Sequence, residues 1–304
     1  MAEIPIIAPA APDSSLQYEA LYAMITPLQD SYRTQSLPVD MSSISFVYVD
    51  GLLALTCIAR LWHRWTGYRL RLQHLDPKVH RYLERMDLFS QCSEWLEQDR
   101  LLDEGDRFNR KPYSERLMEV TPIPSDEQLN EGAVQEALHR MRAILDSSTS
   151  RDPTSVIRLC TMLSEITQNV VHSLDQGFAI VQRYRTPGSA IVQNYRVLIS
   201  VVDLGIGIES SLRRSPVPLL LDNGAPLISG SDYILKALEV GVTSRASGGG
   251  LGLHHVRGLV QEWRGTLTIR SGRSRVQISS DTLTRTDALA EIPGTQVTIE
   301  VHGT

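Results

Sequence analysis

A glycine-rich run late in the chain has the composition of a phosphate-binding segment. Four of the six residues from Gly248 to Leu253 are glycines, which remove side chains where a backbone must approach a ligand. The residues that follow, Leu253-His-His-Val256, are typical of a helix start. Backbone N–H groups at a helix N-terminus bind anions, and the helix dipole favours negative charge there. The run therefore predicts an anion site, although a flexible loop has a similar composition.

Two further groups of polar residues precede this run. Glu165 and Asn169 lie four residues apart in a segment with helical periodicity, so a helix places them on one face, apart from its apolar stripe. Asp203 ends an apolar run and is followed by Gly205 and Gly207, as in a strand that ends in a turn. Each group alone is also typical of a solvated helix face or an ordinary turn. In this order, ahead of the glycine run, they suggest an ATP pocket that is built without a P-loop.

The known glycine fingerprints for nucleotides do not occur in this chain. Counting from Gly205, the last position of G-x-G-x-x-G is Ser210, and from Gly250 no third glycine falls in register. No segment has the sequence G-x-x-x-x-G-K-[ST]. Both the Rossmann and the Walker interpretations are therefore excluded.

The segments around these residues predict helices packed on a sheet. Ser125 can cap a helix over residues 126–148, and Asp152-Pro153 opens a second helix whose apolar face extends to Leu174. Short runs rich in β-branched residues predict strands at 178–185, 194–202, 265–271, 276–279 and 296–301. This order predicts a layer of helices on one sheet.

The first hundred residues predict a smaller α/β module. Residues 43–50 have the composition of a strand, a helix follows and ends at Gly67, residues 68–75 form a second strand, and Asp76-Pro77 opens a second helix. The apolar, proline-containing residues 1–15 predict a flexible leader. Charged residues mixed with Gly and Pro predict a linker over 106–125.

Composition limits the classes of partner and the compartment. The 304 residues have a formal net charge of −5, without the clustered Lys and Arg that nucleic-acid binding needs. Cys57, Cys92 and Cys160 are far apart and odd in number, which favours free thiols in a reducing cytoplasm. No apolar run approaches the roughly 18 residues that a membrane span needs. We therefore expect a cytoplasmic protein that binds neither nucleic acid nor membrane.

Together, the motifs from residue 126 to the end resemble the GHKL family, the ATP-binding domains of gyrase, Hsp90, histidine kinases and MutL. The residues similar to its N box are Leu163-Ser-Glu165-Ile-Thr-Gln-Asn169-Val-Val-His172-Ser173, those similar to its G1 box are Asp203-Leu-Gly-Ile-Gly207, and those similar to its G2 box are Gly248-Gly-Gly-Leu-Gly-Leu253. Pro293-Gly294-Thr295 resembles the final Gly-Thr element. Four elements occur in the family's order, with the expected helix and strand context.

The resemblance implies roles for these residues in binding ATP and Mg²⁺. Asn169 would bind Mg²⁺ through its carbonyl oxygen, a hard ligand that suits this ion. Asp203 would accept a hydrogen bond from the adenine amino group, Gly205 and Gly207 would let the backbone lie close to the base, and Thr295 would lie near the adenine. The lid hinge, whose amides contact the phosphates, would consist of Gly248, Gly249, Gly250, Leu251, Gly252 and Leu253.

A short segment before the glycine run is a further candidate for phosphate contact. In Thr243-Ser244-Arg245 the arginine could neutralise charge on the γ-phosphate, or it could be an ordinary exposed side chain. His172 could hydrogen-bond Glu165, but a role outside catalysis is the better interpretation.

Glu165 distinguishes the branches of the GHKL family. Gyrase, Hsp90 and the anti-sigma-factor kinases have a Glu general base at this position, whereas sensor histidine kinases commonly have another residue. Such a base orients either water, giving ATP hydrolysis, or a Ser/Thr hydroxyl of a bound protein, giving phosphorylation. A sensor histidine kinase remains an alternative, with His139 as phosphoacceptor, although the acidic residue and proline that usually follow that His are missing. An ATP-sensing scaffold without turnover is another.

The first module resembles a STAS domain, as found in anti-sigma-factor antagonists. The similarity covers Phe46-Val-Tyr-Val-Asp50-Gly51-Leu-Leu, the helix that ends at Gly67, and the segment from Asp76 to Phe89. In those antagonists a Ser before the helix-opening glycine accepts phosphate, and here that position is Asp50. We interpret Asp50 as a helix N-cap in preference to a phosphomimetic residue.

The expected fold class is α/β, with a small STAS-like α/β module followed by a Bergerat-type α/β sandwich in which helices cover a mixed sheet. The expected organisation is a leader over 1–15, the STAS-like module over 16–105, the linker over 106–125 and the GHKL domain over 126–304. The expected function is that of an ATP-Mg-binding regulatory protein of bacterial type, a Ser/Thr kinase or a partner-switching ATPase. Its partner would be a regulatory protein with a STAS domain or a sigma-factor-like protein, and a homodimer is left open.

Overall fold

The computed structural model describes residues 5–30, 36–100, 114–125, 127–148, 153–168, 176–185, 195–215, 219–221, 223–242 and 252–302. The chain divides into two compact units, Met1–Pro112 and Tyr113–Thr304. It is a mixed α/β protein in which the first unit contains a parallel sheet and the second an antiparallel sheet.

The first unit is a four-stranded sheet with the order β1-β2-β3-β4 and parallel pairing throughout. Its strands are β1 (Ile6–Ile7), β2 (Leu37–Asp40), β3 (Leu70–Gln73) and β4 (Leu96–Gln98). Its helices are α1 (Tyr18–Ile25), α2 (Val49–Thr66), α3 (Pro77–Arg85) and α4 (Leu88–Gln91), with a 3-10 helix at Thr26–Asp30. Consecutive strands run in the same direction because a helix returns the chain between them.

Local sequence signals define the helix ends in this unit as expected. Gly67 ends α2 in the left-handed conformation, with φ of 77°. Asp76 caps α3 by accepting a hydrogen bond from the amide of Lys78, and Pro77 occupies the first turn.

Three expectations for this unit are wrong. The predicted strand at 43–50 is a loop followed by the first turn of α2, since a short apolar run does not distinguish a strand from a helix start. The predicted leader contains β1, whose neighbour Ala8 donates a backbone hydrogen bond to Asp40. Asp50 lies inside the first turn of α2, where Tyr48 is the N-cap, so Asp50 is not the N-cap.

The second unit is a seven-stranded sheet with five helices among its described residues. The strands are β5 (Leu117–Ile123), β6 (Gly177–Arg185), β7 (Tyr195–Asp203), β8 (Thr266–Gly272), β9 (Ser274–Ile278), β10 (Leu283–Thr286) and β11 (Ile292–His302). The helices are α5 (Glu127–Ser148), α6 (Pro153–Gln168), α7 (Gly207–Leu212), α8 (Gly230–Ala237) and α9 (Gly252–Glu262). Observed elements lie within one to four residues of the helix predicted at 126–148, of the predicted start of the next helix at Asp152-Pro153, and of the strands predicted at 178–185, 194–202, 265–271, 276–279 and 296–301. The expected extension of that second helix to Leu174 lies outside the described residues.

The order of this sheet is β10-β9-β8-β11-β7-β6-β5, and every neighbouring pair is antiparallel. The predicted mixed sheet is therefore wrong for the described strands. The physical reason is the position of β11. Strands β7 and β8 both run opposite to β11, so they are parallel to each other, but β11 lies between them and forms the hydrogen bonds with both.

Helices cover one face of this sheet. α5 packs on α6 and on β5, α6 packs on α9, and α9 packs on β8 and β11. A single apolar cluster joins them, with Leu163 from α6, Val256 from α9 and Ile199 from the sheet among its members. A smaller cluster around Leu212 and Tyr233 joins α7 and α8.

The edge strands of this sheet were not predicted from the sequence. β5 lies within the predicted linker 106–125, and its sequence Leu-Met-Glu-Val-Thr-Pro-Ile contains a proline, which is typical of an edge strand. β10 at the other edge is mostly exposed, so its residues lack the apolar alternation that marks a half-buried strand.

Among the described residues, no helix combines the length and the hydropathy of a membrane span. The three cysteines are free. Burial raises the pKa of the Cys92 thiol to about 12 and that of Cys160 to about 11, so neither is a thiolate at neutral pH.

Candidate functional site

The helix-covered face of the second sheet changes from apolar to polar at one end. Ile269, Val297 and Val201 face one another on β8, β11 and β7. Two residues further along, towards the ends of β7 and β8, the residues in register are Ser271, Thr295 and Asp203. We call these three residues the polar row. Polar groups at the end of a buried face must bond to one another or to a ligand.

A cavity opens over this end of the sheet. The residues that line it are Ile166, Val201, Asp203, Ile208, Leu253, Thr295 and Val297. Two neighbouring strands form its floor, and α6, α7 and α9 each contribute one aliphatic side chain to its walls. The cavity is therefore mainly apolar, with one carboxylate and one hydroxyl side by side.

The turn after β7 positions Asp203 and the start of α7. Asp203 Oδ1 accepts a hydrogen bond from the amide of Gly205 at 2.7 Å, which closes the turn over two residues. Gly207 has φ of 77°, and a Cβ there would lie 2.9 Å from Ser271 Oγ. Only glycine satisfies both the positive φ and this close approach.

A bulge at the start of β11 brings a second glycine against the same turn. The pairing with β8 shifts between Ile292 and Thr295, so Pro293 and Gly294 bulge out of the ladder. Gly294 has φ of 87°, and a Cβ there would lie 2.0 Å from the carbonyl oxygen of Asp203. The backbones of β7 and β11 thus touch directly where the cavity begins.

Glu165 lies beside the cavity and does not line it. It is half-buried on α6 and immediately precedes Ile166, which is 5% exposed and lines the cavity wall. Because consecutive helical residues point about 100° apart, the Glu165 side chain is directed away from that of Ile166.

The structure brings together part of the predicted site. Asp203, Thr295 and Leu253 line one cavity, with Gly205 and Gly207 in the turn beside it, and Gly252 begins α9. His139 is exposed on α5. The remaining predicted residues lie outside the described residues; they are Asn169, His172, Thr243, Ser244, Arg245, Gly248, Gly249, Gly250 and Leu251.

Ser271 and the aliphatic walls of the cavity were not predicted from the sequence. Ser271 ends a strand whose alternate residues Leu267 and Ile269 face the core, so alternation predicts that it faces the same side. A buried Ser at the end of such a series was a usable signal. No sequence pattern indicated that Ile166 and Ile208 line the cavity, because the other residues of the cavity come from distant segments of the chain.

The N-terminus of α8 is held by two carboxylates close to α7. Asp232 and Ser229 form a capping box, and Arg285 pairs with Asp232 at 2.9 Å. Hydrogen bonds, first among them that from the backbone of Ser229, hold the pKa of Asp232 below its usual value. Burial alone would raise the pKa of Asp287, but hydrogen bonds from Ser274 and Ser231 outweigh it and lower that pKa.

Asp232 accepts a hydrogen bond from the amide of Ser229, and Asp287 accepts one from the hydroxyl of Ser231, so the two carboxylates stabilise the N-terminus of α8. Within the described ranges, no group of three or more His, Cys, Asp or Glu residues is arranged to hold a metal ion.

Comparisons of the chain with protein-family models, with curated proteins and with solved structures gave no match.

Proposed function

We propose that the second unit binds ATP, with the adenine in the cavity over the polar row. The observation that supports this most directly is the cavity itself. It brings Asp203 and Thr295, which are far apart in sequence, next to Leu253 from the glycine-rich run. The resemblance to the GHKL family had assigned all three to one nucleotide site.

The chemistry of the lining residues fits a purine base. Five aliphatic side chains offer apolar contacts to the faces of a planar ring, and Asp203 offers an acceptor to an amino group on its edge. Gly207 and Gly294 let the start of α7, β11 and the end of β7 approach one another closely beside Asp203 and Thr295. We infer that this pocket and its helix layer belong to a Bergerat-type domain.

The start of α9 provides a place for phosphate. α9 begins at Gly252, one residue before Leu253, so the N-terminus of this eleven-residue helix lies at the cavity. The first amides of a helix have no partner within the helix, and together with the helix dipole they favour an anion there. In this proposal Asn169 supplies an oxygen ligand to the Mg²⁺ that accompanies the phosphates. Thr243, Ser244 and Arg245 and the glycine run from Gly248 to Leu253 contact the phosphates.

We further propose that the protein is a regulatory Ser/Thr kinase or a partner-switching ATPase. Glu165, half-buried beside the cavity, then accepts a proton from a Ser/Thr hydroxyl or from water. The partner is a regulatory protein, and the first unit, with its parallel α/β sheet and Asp50 in the first turn of α2, is the STAS-like part of the switch. Free thiols and the low net charge fit a cytoplasmic protein.

Replacement of Asp203 tests the nucleotide site. In Asp203→Asn the amide oxygen can still accept the hydrogen bond from Gly205, but an NH₂ donor replaces one carboxylate oxygen. We expect ATP to bind at least about tenfold more weakly, because a donor then faces the amino group of the base, while the melting temperature stays close to that of wild type.

Calorimetric titration of the full chain with ATP and Mg²⁺ measures this affinity. Asp281→Asn, at an exposed turn between β9 and β10, is the matched control and leaves ATP binding unchanged. A wild-type chain that does not bind ATP, or an Asp203→Asn variant that binds it normally, contradicts the proposal.

A further inference from the structure

Ser271 is the buried member of the polar row. It is 5% exposed, faces Thr295 in register and does not line the cavity. Its hydroxyl donates to the carbonyl of Gly294 at 2.9 Å and accepts from the amide of Ile208 at 2.8 Å. One side chain thus links the end of β8 to the bulge of β11 and to the start of α7.

The hydrogen bonds of Ser271 determine the direction of its contact with Thr295. A serine hydroxyl has one proton, and the carbonyl of Gly294 can only accept, so that proton is directed at Gly294. The contact between Ser271 Oγ and Thr295 Oγ1, at 3.3 Å, then has Thr295 as its donor. This is a long hydrogen bond, but it uses the only hydroxyl proton of Thr295.

Thr295 therefore presents lone pairs to the cavity. Asp203 lies beside it on the neighbouring strand, and a carboxylate also only accepts hydrogen bonds. The two polar groups of the cavity are both acceptors, and they match a ligand edge that carries an amino group. A carbonyl oxygen at the same place would face two acceptors and be left without a partner.

We propose that Ser271 is a positioning residue that orients the hydroxyl of Thr295 as an acceptor and so selects a 6-amino purine against a 6-oxo purine. This inference rests on the proposed nucleotide site and names what sets its selectivity. Without the Ser271 hydroxyl, the Thr295 hydroxyl can rotate and donate to a 6-oxo group. Discrimination against the oxo base then falls, even though no residue that lines the cavity has changed.

The test compares ATP with inosine triphosphate, in which a carbonyl replaces the 6-amino group. Both affinities are measured by calorimetric titration of the full chain with Mg²⁺. The affinity ratio is the affinity for ATP divided by that for inosine triphosphate. We expect this ratio to fall by about tenfold in Ser271→Ala, the effect of one mismatched hydrogen bond. A merely structural role for Ser271 would weaken both nucleotides alike and leave the ratio unchanged.

Ser274→Ala is the matched control. Ser274 faces Ser271 across the β8–β9 hairpin and is 2% exposed, but its hydroxyl bonds to Asp287 and does not contact the polar row. Its replacement also removes a buried hydrogen bond and should lower the melting temperature. We expect it to leave the affinity ratio at the wild-type value, and a fall equal to that of Ser271→Ala would overturn the inference.

Thr295→Val tests whether Ser271 acts through Thr295. This variant lacks the oriented acceptor, so its own ratio should fall, and adding Ser271→Ala should lower it no further. If Ser271→Ala does not fold, the ratio in Thr295→Val alone decides, since an unchanged ratio there overturns the inference. Failure of the wild-type chain to bind ATP overturns the proposed function itself, whereas ATP binding with an unchanged ratio in Ser271→Ala overturns this inference alone.

Discussion

Glu165 is the residue on which turnover depends in the proposed function. It is half-buried on α6, next to Ile166 of the cavity wall. A proton acceptor at this position affects the chemical step and not the affinity for ATP.

We expect Glu165→Gln to lower phosphate release or phosphotransfer by about 10²–10⁴-fold, the usual contribution of a general base, with ATP affinity unchanged. Phosphate release without a partner and radiolabel transfer to a purified partner measure the two reactions. Glu136→Gln, exposed on α5, is the control and keeps full turnover. If Glu165→Gln keeps the turnover of wild type, Glu165 is not the general base. If the wild-type chain binds ATP without any turnover, the protein is an ATP-sensing scaffold.

At the scale of elements, β11 organises the site. It supplies Thr295 to the cavity, pairs with both β7 and β8, and bulges where it meets the turn after Asp203. The pattern of apolar and polar residues predicted only the regular part of this strand, residues 296–301. The four residues before it were not predicted as strand because Pro293 and Gly294 are typical of turns.

The bulge predicts a large difference between two glycine substitutions. Gly294 and Gly224 both have positive φ, but an added Cβ would strike the Asp203 carbonyl at Gly294 and meet nothing within 4 Å at Gly224. We expect Gly294→Ala to lower the free energy of unfolding by about 3 kcal/mol or more and to weaken ATP binding. Gly224→Ala should cost about 1 kcal/mol, from backbone strain alone. Urea unfolding of both variants checks this, and equal losses would mean that the close contact is absent.

Helix ends were more predictable than strand order. Asp76-Pro77 and Gly67 act within one turn of helix, so their residue types suffice. The edge strand β5 was not predicted because it contains a proline, and β10 was not predicted because it is mostly exposed. The helices α7 and α8 are only six and eight residues long, too short to show a clear period. Residues 43–50 were predicted as a strand because Phe46, Val47 and Val49 have strand propensity. They form a loop and the first turn of α2, since burial of α2 in the core overrides that propensity.

At the scale of the whole molecule, carboxylates in both units connect stability to pH. Burial alone would raise the pKa of Glu97, but hydrogen bonds from Ser36 and Arg71 hold it below its usual value. The pKa values of Asp40, Asp232 and Asp287 are also lowered. The folded chain therefore binds fewer protons at these groups than the unfolded chain does.

Their contribution to stability is present above the unfolded pKa values and is lost as the pH falls through the lower, folded values. We expect the free energy of unfolding to fall as the pH drops below about 4.5 and to fall more steeply below about 4. In Glu97→Gln this acid-induced loss should be smaller, which urea unfolding at several pH values measures. An acid-induced loss in Glu97→Gln as large as that of wild type would contradict the assignment.

By itself, the sequence determined the local features of this protein: the caps of α2 and α3, the turn after Asp203, the core-facing alternation of the central strands, and the candidate residues that resemble a nucleotide site. Those features depend on residues a few positions apart. Only the tertiary structure decided that β11 lies between β7 and β8 and that Ser271, Thr295 and Asp203 form one row. Strand order depends on how distant segments together bury their apolar faces, and no short stretch of sequence contains that information.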